Sequence, residues 1–515
     1  MIALRGSQLR DDVRIILEKR FAPGLPPGEN PGPLHPACPP MQRPSCALLL
    51  AVCCPLLQAE SVTLTVISTA DSGAGSLRDA ISAAANGDVI TFDASLAGQT
   101  ITLTSGPLVV DNLETTIEAP SLAAGPRLDG NQASRVFSVL NGASLTLSNL
   151  LLEDGREISG NGGGIFVENA TLVMSGCVLQ NCYSQYNGGG AYLGNGTTAS
   201  IDRTLIAGNE SNSFGGGLFL IGTVSAELTN SSVQGNRAQF AGGMLNFADA
   251  PSITNCTIQG NSGAGIRNEN SSAPVIRNTI VWGNRTASGS LASQQIKNAA
   301  GASPDVDYSL VEGAPASANN LDGTAPANAP QFVVAEPAAS APTTSSDLRS
   351  LAGSASFDVG LNAANSSPAD LAGKTRIQGG TIDLGAFEGP YVTFASLHPA
   401  LSPLGDENGN SLSNFHEYAL GVDPSGSVEA ALDNLPTVES DGGQPKLVLF
   451  RRPDGADVSA LWEYSHDGVG WSSLQWGVDY SAAQETVTPG GLHRTELSLT
   501  SSEPYCLYRQ GFTGG

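Results

Sequence analysis

Between residues 145 and 285 the chain repeats itself, and this limits its fold more than any other feature. Gly162-Gly163-Gly164 returns as Gly188-Gly189-Gly190, as Gly215-Gly216-Gly217 and as Ala241-Gly242-Gly243, with a worn copy at Gly263-Ala264-Gly265. A second marker runs between the triplets: Asn181, Asn209, Asn236, Asn261 and Asn284, with Asp154 in the equivalent place one repeat earlier. By subtraction, the successive steps are 27, 28, 27, 25 and 23 residues. Three residues before each marker stands an aliphatic residue: Leu151, Val178, Ile206, Val233, Ile258 or Val281. Aligned apolar, Gly and Asn columns at a period in the twenties are the signature of a solenoid.

The repeats are not helical. Their apolar pieces are short and often β-branched, as in Thr171-Leu172-Val173-Met174 and Val275-Ile276-Arg277, and Gly, Asn and Ser punctuate them. That is strand-and-turn chemistry. The repeat length suits one coil of a β-helix with three short strands and three bends, each coil about 4.8 Å above the last. Val and Ile would fill the interior, and stacked Asn side chains would hydrogen-bond along the axis. The expected fold class is all-β: a right-handed parallel β-helix with an N-terminal helical cap, then a calcium-loop linker and a small C-terminal β-sandwich.

Residues 41–59 read as a secretory signal: Met41-Gln42-Arg43, an apolar run from Cys46 to Leu57, and a small residue, Ala59, at the expected cut. We therefore expect translation to start at Met41 and residues 1–40 to be an upstream extension. No later stretch is long and apolar enough for a membrane-spanning helix. The whole chain holds 24 basic and 48 acidic residues. Residues 1–59 account for 6 and 4 of these, leaving a net charge of −26 beyond them. Such a surface repels nucleic acid and anionic membranes and favours Ca²⁺ or basic partners. Beyond residue 59 remain Cys177, Cys182, Cys256 and Cys506. Cys177 and Cys256 would sit three coils apart, outside disulfide reach. Cys177–Cys182 could close a tight loop, but the favoured reading has no structural disulfide.

Residues 60–143 read as a cap and the first coils. Ser76 with Asp79 forms a capping box, Leu77, Ile81 and Ala84 share one face, and Val89–Phe92 follows as a strand. A short amphipathic helix there would cover the open end of the solenoid. The coils proper would span 144–300. Residues 301–390 would hold the terminal coils, a long loop around Gly313–Ala341 and a closing segment tied by Asp370, Arg376, Asp383 and Glu388.

These stretches resemble a known group. Asp71-Ser72-Gly73-x-Gly75-Ser76-Leu77-Arg78-x-Ala80-Ile81 looks like the opening of secreted bacterial right-handed parallel β-helix proteins, many of which carry a CSLREA motif; here its Cys is missing and Asp replaces Glu. The Gly and Asn columns resemble polymorphic outer-membrane-protein-type repeats. Asp370-Leu371-Ala372-Gly373-x-x-Arg376 and Gly380–Glu388 are similar to the choice-of-anchor Q segment that ends such solenoids. The resemblance covers about residues 62–390. It implies export and surface or extracellular residence, and no particular reaction.

Within 391–427, the stretch Asp406–Glu417 has EF-hand spacing. Asp406, Asn408, Asn410, Asn414 and Glu417 fall at positions 1, 3, 5, 9 and 12, with the Leu412 carbonyl at 7. These six residues are the expected ligands of a structural Ca²⁺. Ser411 stands where Gly is usual, and only two ligands are charged, which lowers the expected affinity. The alternative is an Asx turn without metal. With His416-Glu417-Tyr418 and Gly421-Val422-Asp423-Pro424 it resembles dockerin-like or thrombospondin-type calcium loops. Residues 428–515 alternate like strands and hold three of the four Trp, enough for a small β-sandwich.

The strands after the triplets put Phe166, Tyr192, Phe219, Leu245 and Arg267 in one column. If that column faces outward it is an aromatic strip able to bind glycan; if inward, it is core, which is the favoured reading. Hydrolysis would need two carboxylates at matched separation, and a lyase a base beside an acidic calcium cluster. The column supplies neither, so no catalytic residue and no other cofactor is assigned. The expected function is surface attachment or glycan contact by an exported monomer, its partner a polysaccharide or cell-envelope component. The alternative is a polysaccharide lyase or glycoside hydrolase.

Overall fold

A computed structural model describes residues 61–390, apart from 123–124, 224, 287–294 and 314–317, together with the backbone of strands between 437 and 514. Residues 63–322 form the coils of the expected parallel β-helix, and the described residues after them pack on its outside. Three long sheets run along its axis. Sheet one has ten strands, from Thr63–Val66 to Asp305–Asp307; sheet two has ten, from Thr100–Thr102 to Leu321–Asp322; sheet three has eight, from Leu108–Asp111 to Ile296–Asn298. Every pairing within these sheets is parallel, coil to coil. A narrow ribbon adds a fourth segment to the middle coils: Arg156–Glu157, Tyr183–Ser184, Glu210–Ser211 and Arg237–Ala238. The coil there has four strand segments, where the repeat length predicted three.

Alternation decides what enters the core. In sheet one Leu145 and Leu147 stack under Leu172 and Met174, then Ala199 and Ile201. In sheet two the interior file is Leu152, Leu179, Ile206, Val233, Ile258 and Val281, all fully buried. The expected file is therefore right from Ile206 onward and displaced by one residue before it. Val178 pairs with Leu151 and Leu205, at the file's edge. Each full burial of such an aliphatic side chain contributes about 1.5–3 kcal/mol.

The displacement has a conformational origin. Asn181 and Asp154 occupy the left-handed bend, at φ 54° and 51°, that Gly208, Gly235, Gly260 and Gly283 occupy in later coils. Asn, Asp and Gly all tolerate this region, so Asn181 mimics a ladder residue while doing a glycine's task. The true ladder is Asn209, Asn236, Asn261 and Asn284, all fully buried. Each Nδ2 donates to the next Oδ1, at 3.1, 3.0 and 2.8 Å, and each Oδ1 also accepts the backbone N–H one coil back. Cys182 stands before Asn209 in this file and gives it only its backbone N–H, at 3.0 Å. At the far end Asn284 passes to Gln295, and Gln295 to Glu312, which Arg285 neutralises. A second file, Asn230, Asn255 and Asn278, runs along the corner between sheets one and two in left-handed conformation.

The glycine triplets serve close approach. A Cβ on Gly163, Gly189, Gly216 or Gly242 would collide with the carbonyl of Tyr183, Glu210, Arg237 or Ser262 in the next coil. The helix Leu77–Ala83 is capped by Ser76, whose Oγ accepts the Asp79 N–H at 3.2 Å. Leu77 and Ile81 join the main core at the first coils. After Leu321 the chain does not hang as a long loop. It folds back over the outer face of sheet two, with a short antiparallel pair, Phe332–Val334 and Asp347–Ser350. Thr343 N–H binds Gly235 O, Gln259 Nε2 binds Glu336 O, and Ala386 N–H binds Thr257 Oγ1, at 2.9, 2.9 and 3.0 Å. The closing charges are buried together: Asp383 accepts the N–H groups of Asp358 and Gly389, Asp370 those of Lys374 and Glu388, and the Arg376 guanidinium lies 3.8 Å from Glu388. The strands between 437 and 514 pair antiparallel in sheets of four and three.

Candidate functional site

Sheet three presents the column singled out in the sequence. Ile165 and Val167, Ala191 and Leu193, and Leu218 and Leu220 point into the main core, so Phe166, Tyr192 and Phe219 between them point out of it. Yet Tyr192 and Phe219 are only 9% and 6% exposed. They belong to a separate apolar cluster with Ala241 and Leu245, flanked by Phe166, Phe214 and Ile221. Asn187 and Phe214, just ahead of their triplets, and Ala241, the first residue of its own, supply its cover: they bridge coil to coil beside sheet three and wall off the column. Outward and buried were posed as exclusive in the sequence; here both hold.

The rings stack on one another along the axis. Phe166 and Tyr192 have centroids 5.2 Å apart and planes within 1°; Tyr192 and Phe219 are 5.4 Å apart and within 6°. Arg135 lies over the free face of Phe166 at 5.1 Å. It also donates from Nε to Asn161 O and pairs with Glu157 at 2.9 Å. Ring faces occupied by other rings are not free to stack on a sugar. This part of the column is structural.

Further along the axis the file opens. Ser213, Phe214, Phe219, Leu245, Phe247 and Arg267 line most of a groove of about 420 Å³, with Glu269 at its edge. Phe240 and Phe247 are 38% and 36% exposed. Phe214 and Phe240 stack at 4.9 Å with planes 28° apart, and the Arg267 guanidinium lies 5.7 and 5.5 Å from their centroids. Arg267 is ion-paired with Glu269, two residues along the same strand and on the same face. The groove thus offers apolar ring surface beside a fixed set of donors and acceptors. Sequence reading found Phe219, Leu245 and Arg267 by column but missed Phe214, Phe240 and Phe247. Phe247 was legible two places after Leu245; the loop residues carry no period-two signal.

Other clefts lie on sheets one and two. Asp202, Arg203 and Glu227 on sheet one line a space of about 400 Å³ with Ser366–Ala369 of the returning segment. Asp202 accepts from Thr229 Oγ1, Asn230 Nδ2 and Arg203 Nε, at 2.8, 2.9 and 3.0 Å. A third space, about 610 Å³, lies between sheet two and the returning segment, lined by Val178, Leu205, Leu348 and Leu371 among others.

Cys177, Cys182 and Cys256 are buried free thiols, in line with the reading that no disulfide joins them. Burial pushes them up to about 11, 12 and 12, so they are protonated and inert near neutral pH. The expected calcium ligands Asp406, Asn408, Asn410, Leu412, Asn414 and Glu417 lie outside the described residues, as does the signal stretch 41–59. Among the described residues no helix is long and apolar enough to cross a membrane.

Residues 163–299 match the family model for the right handed beta helix region. Among solved structures, that of pectate lyase Pel9A is similar at 15% identity and a TM-score of 0.33, over 64% of this chain and 98% of that one. No curated protein matches the chain.

Proposed function

We propose that this parallel β-helix protein is exported, stands at the cell surface or outside the cell, and acts in attachment by contacting glycan, without catalysis. The observation that supports this most is the groove on sheet three. Partly exposed Phe247 on sheet three, and Phe240 in the bend before it, flank the paired Arg267 and Glu269. Rings that meet the apolar face of a sugar beside groups that bind its hydroxyls are what such recognition needs. In this reading the 41–59 segment directs export. Asp406, Asn408, Asn410, Asn414 and Glu417, with the Leu412 carbonyl, hold a structural Ca²⁺ that stiffens the linker to the C-terminal module.

A second reading, a polysaccharide-cleaving enzyme, draws on a different place. Asp202 and Glu227, on neighbouring strands of sheet one, line one wall of a cleft beside Arg203, and a pair of carboxylates is the minimum for glycoside hydrolysis. A glycan-array screen run beside reducing-end and unsaturated-product assays separates the two. Binding without product supports attachment. Product from any polymer overturns it, and loss of that product in Asp202→Asn or Glu227→Gln would place the chemistry on sheet one.

A further inference from the structure

We infer that the sheet-three groove takes an uncharged glycan chain lying along the solenoid axis, and not an acidic one; the inference rests on the glycan-contact reading above. The groove's shape sets the direction. Its lining runs from Asn187 through Phe219 and Leu245 to Arg267, four successive coils. Three coil spacings of about 4.8 Å make it about 14 Å long, room for a short run of sugars parallel to the axis.

Charge selects the ligand. Arg267 is the groove's own cation, and Glu269 already neutralises it from two residues along the strand. An acidic sugar would have to displace Glu269 or leave its carboxylate beside another anion. The wider field points the same way, because the chain beyond residue 59 carries a net charge of −26. A polyanion is repelled before it arrives. A neutral sugar meets no such penalty: the Arg267 N–H groups and the Glu269 oxygens are a donor set and an acceptor set side by side, suited to adjacent hydroxyls. Phe247 in the lining, and Phe240 stacked on the lining Phe214 beside it, keep more than a third of their surface in solvent, unlike the closed Phe166–Tyr192–Phe219 stack, and offer the apolar contact.

The test uses the full chain and two oligosaccharide series, neutral cello- and manno-oligosaccharides and acidic oligogalacturonates, with calorimetry or affinity electrophoresis at low and moderate salt. The expected result is binding confined to the neutral series. It should weaken about tenfold in Phe247→Ala and in Phe240→Ala, the loss of one aromatic contact each. Glu269→Gln frees the Arg267 charge and should shift preference toward oligogalacturonate, in a salt-sensitive way. Thermal melting of each variant confirms that the fold is kept. Binding of the acidic series alone overturns the inference and leaves the glycan-contact reading standing. Neutral binding indifferent to both Phe variants overturns the groove assignment, and an unchanged preference in Glu269→Gln overturns the charge argument. Failure of every glycan in both series and on the array overturns the underlying reading as well.

Discussion

Substituting Asn236→Ala cuts the internal ladder at its middle. The Asn236 side chain is fully buried and makes four bonds. Its Nδ2 donates to Ile206 O and Asn261 Oδ1, both at 3.0 Å; its Oδ1 accepts from Asn209 N–H at 2.9 Å and Asn209 Nδ2 at 3.1 Å. Three of those partners have somewhere else to turn. Asn261 Oδ1 keeps the Asn236 backbone N–H, and Asn209 Nδ2 keeps Leu179 O. Ile206 O keeps its place in the ladder with the Val233 strand, but Asn209 N–H loses the partner that alanine cannot replace. At roughly 1–3 kcal/mol for a buried backbone group left unsatisfied, the expected cost is about 2 kcal/mol, plus the smaller loss of the remaining ladder bonds. The control is Asn181→Ala, which bears the same residue name in the same sequence column but sits exposed in the left-handed bend at φ 54°. There the cost is only the loss of asparagine's tolerance of the left-handed region, about 1 kcal/mol or less. Urea denaturation followed by circular dichroism gives the overall difference. Hydrogen exchange at Asn209 N–H gives the local one, since coils of a solenoid lose stability next to the lesion first. Equal costs for the two variants would refute the ladder assignment and the one-residue register with it.

Gly216→Ala places a Cβ 2.5 Å from both Arg237 O and Gly242 O, so it should cost about 3 kcal/mol or prevent folding; Gly142→Ala, with open space but φ 84°, should cost about 1 kcal/mol, both read by melting. In a chain that starts at Glu60 and carries Cys506→Ser, Cys177, Cys182 and Cys256 should resist thiol reagents at pH 8 until denaturant is added, and rapid native labelling would contradict their burial. Burial raises Asp383 from 3.8 to about 7. A raised acid favours folding while protonated, so its contribution is full below about pH 4 and is lost as pH rises to about 7. Stability to urea should fall across that window, and Asp383→Asn should remove that part of the dependence. Calcium should raise the protease resistance of residues 391–427 and EGTA should lower it; Glu417→Gln should abolish the difference, and no calcium effect in the parent chain would refute the loop reading.

How much of this was legible beforehand follows from the range of the forces involved. Short β-branched runs, glycine triplets and a recurring Asn are local facts, and with a period in the twenties they leave a β-helix as the architecture that can bury them. The capped helix at Ser76 and the interior file from Ile206 to Val281 were equally open to reading, because capping and alternation act within a few residues. The register before Ile206 was not. Asn181 and Asn209 are the same residue in neighbouring repeats, and only the hydrogen bonds of stacked coils tell a bend from a ladder. The same holds for Phe166, Tyr192 and Phe219: alternation put them on one face, but their burial depends on Phe214 and Ala241 packing over them from the turns before sheet three, which alternation does not describe. The fold over sheet two after Leu321 and the pairing of Arg267 beneath Phe240 were likewise decided in three dimensions. Periodicity in a chain records which residues lie over one another from coil to coil; it does not record which surface a returning segment will cover, since that is set by shape and burial between parts far apart in sequence.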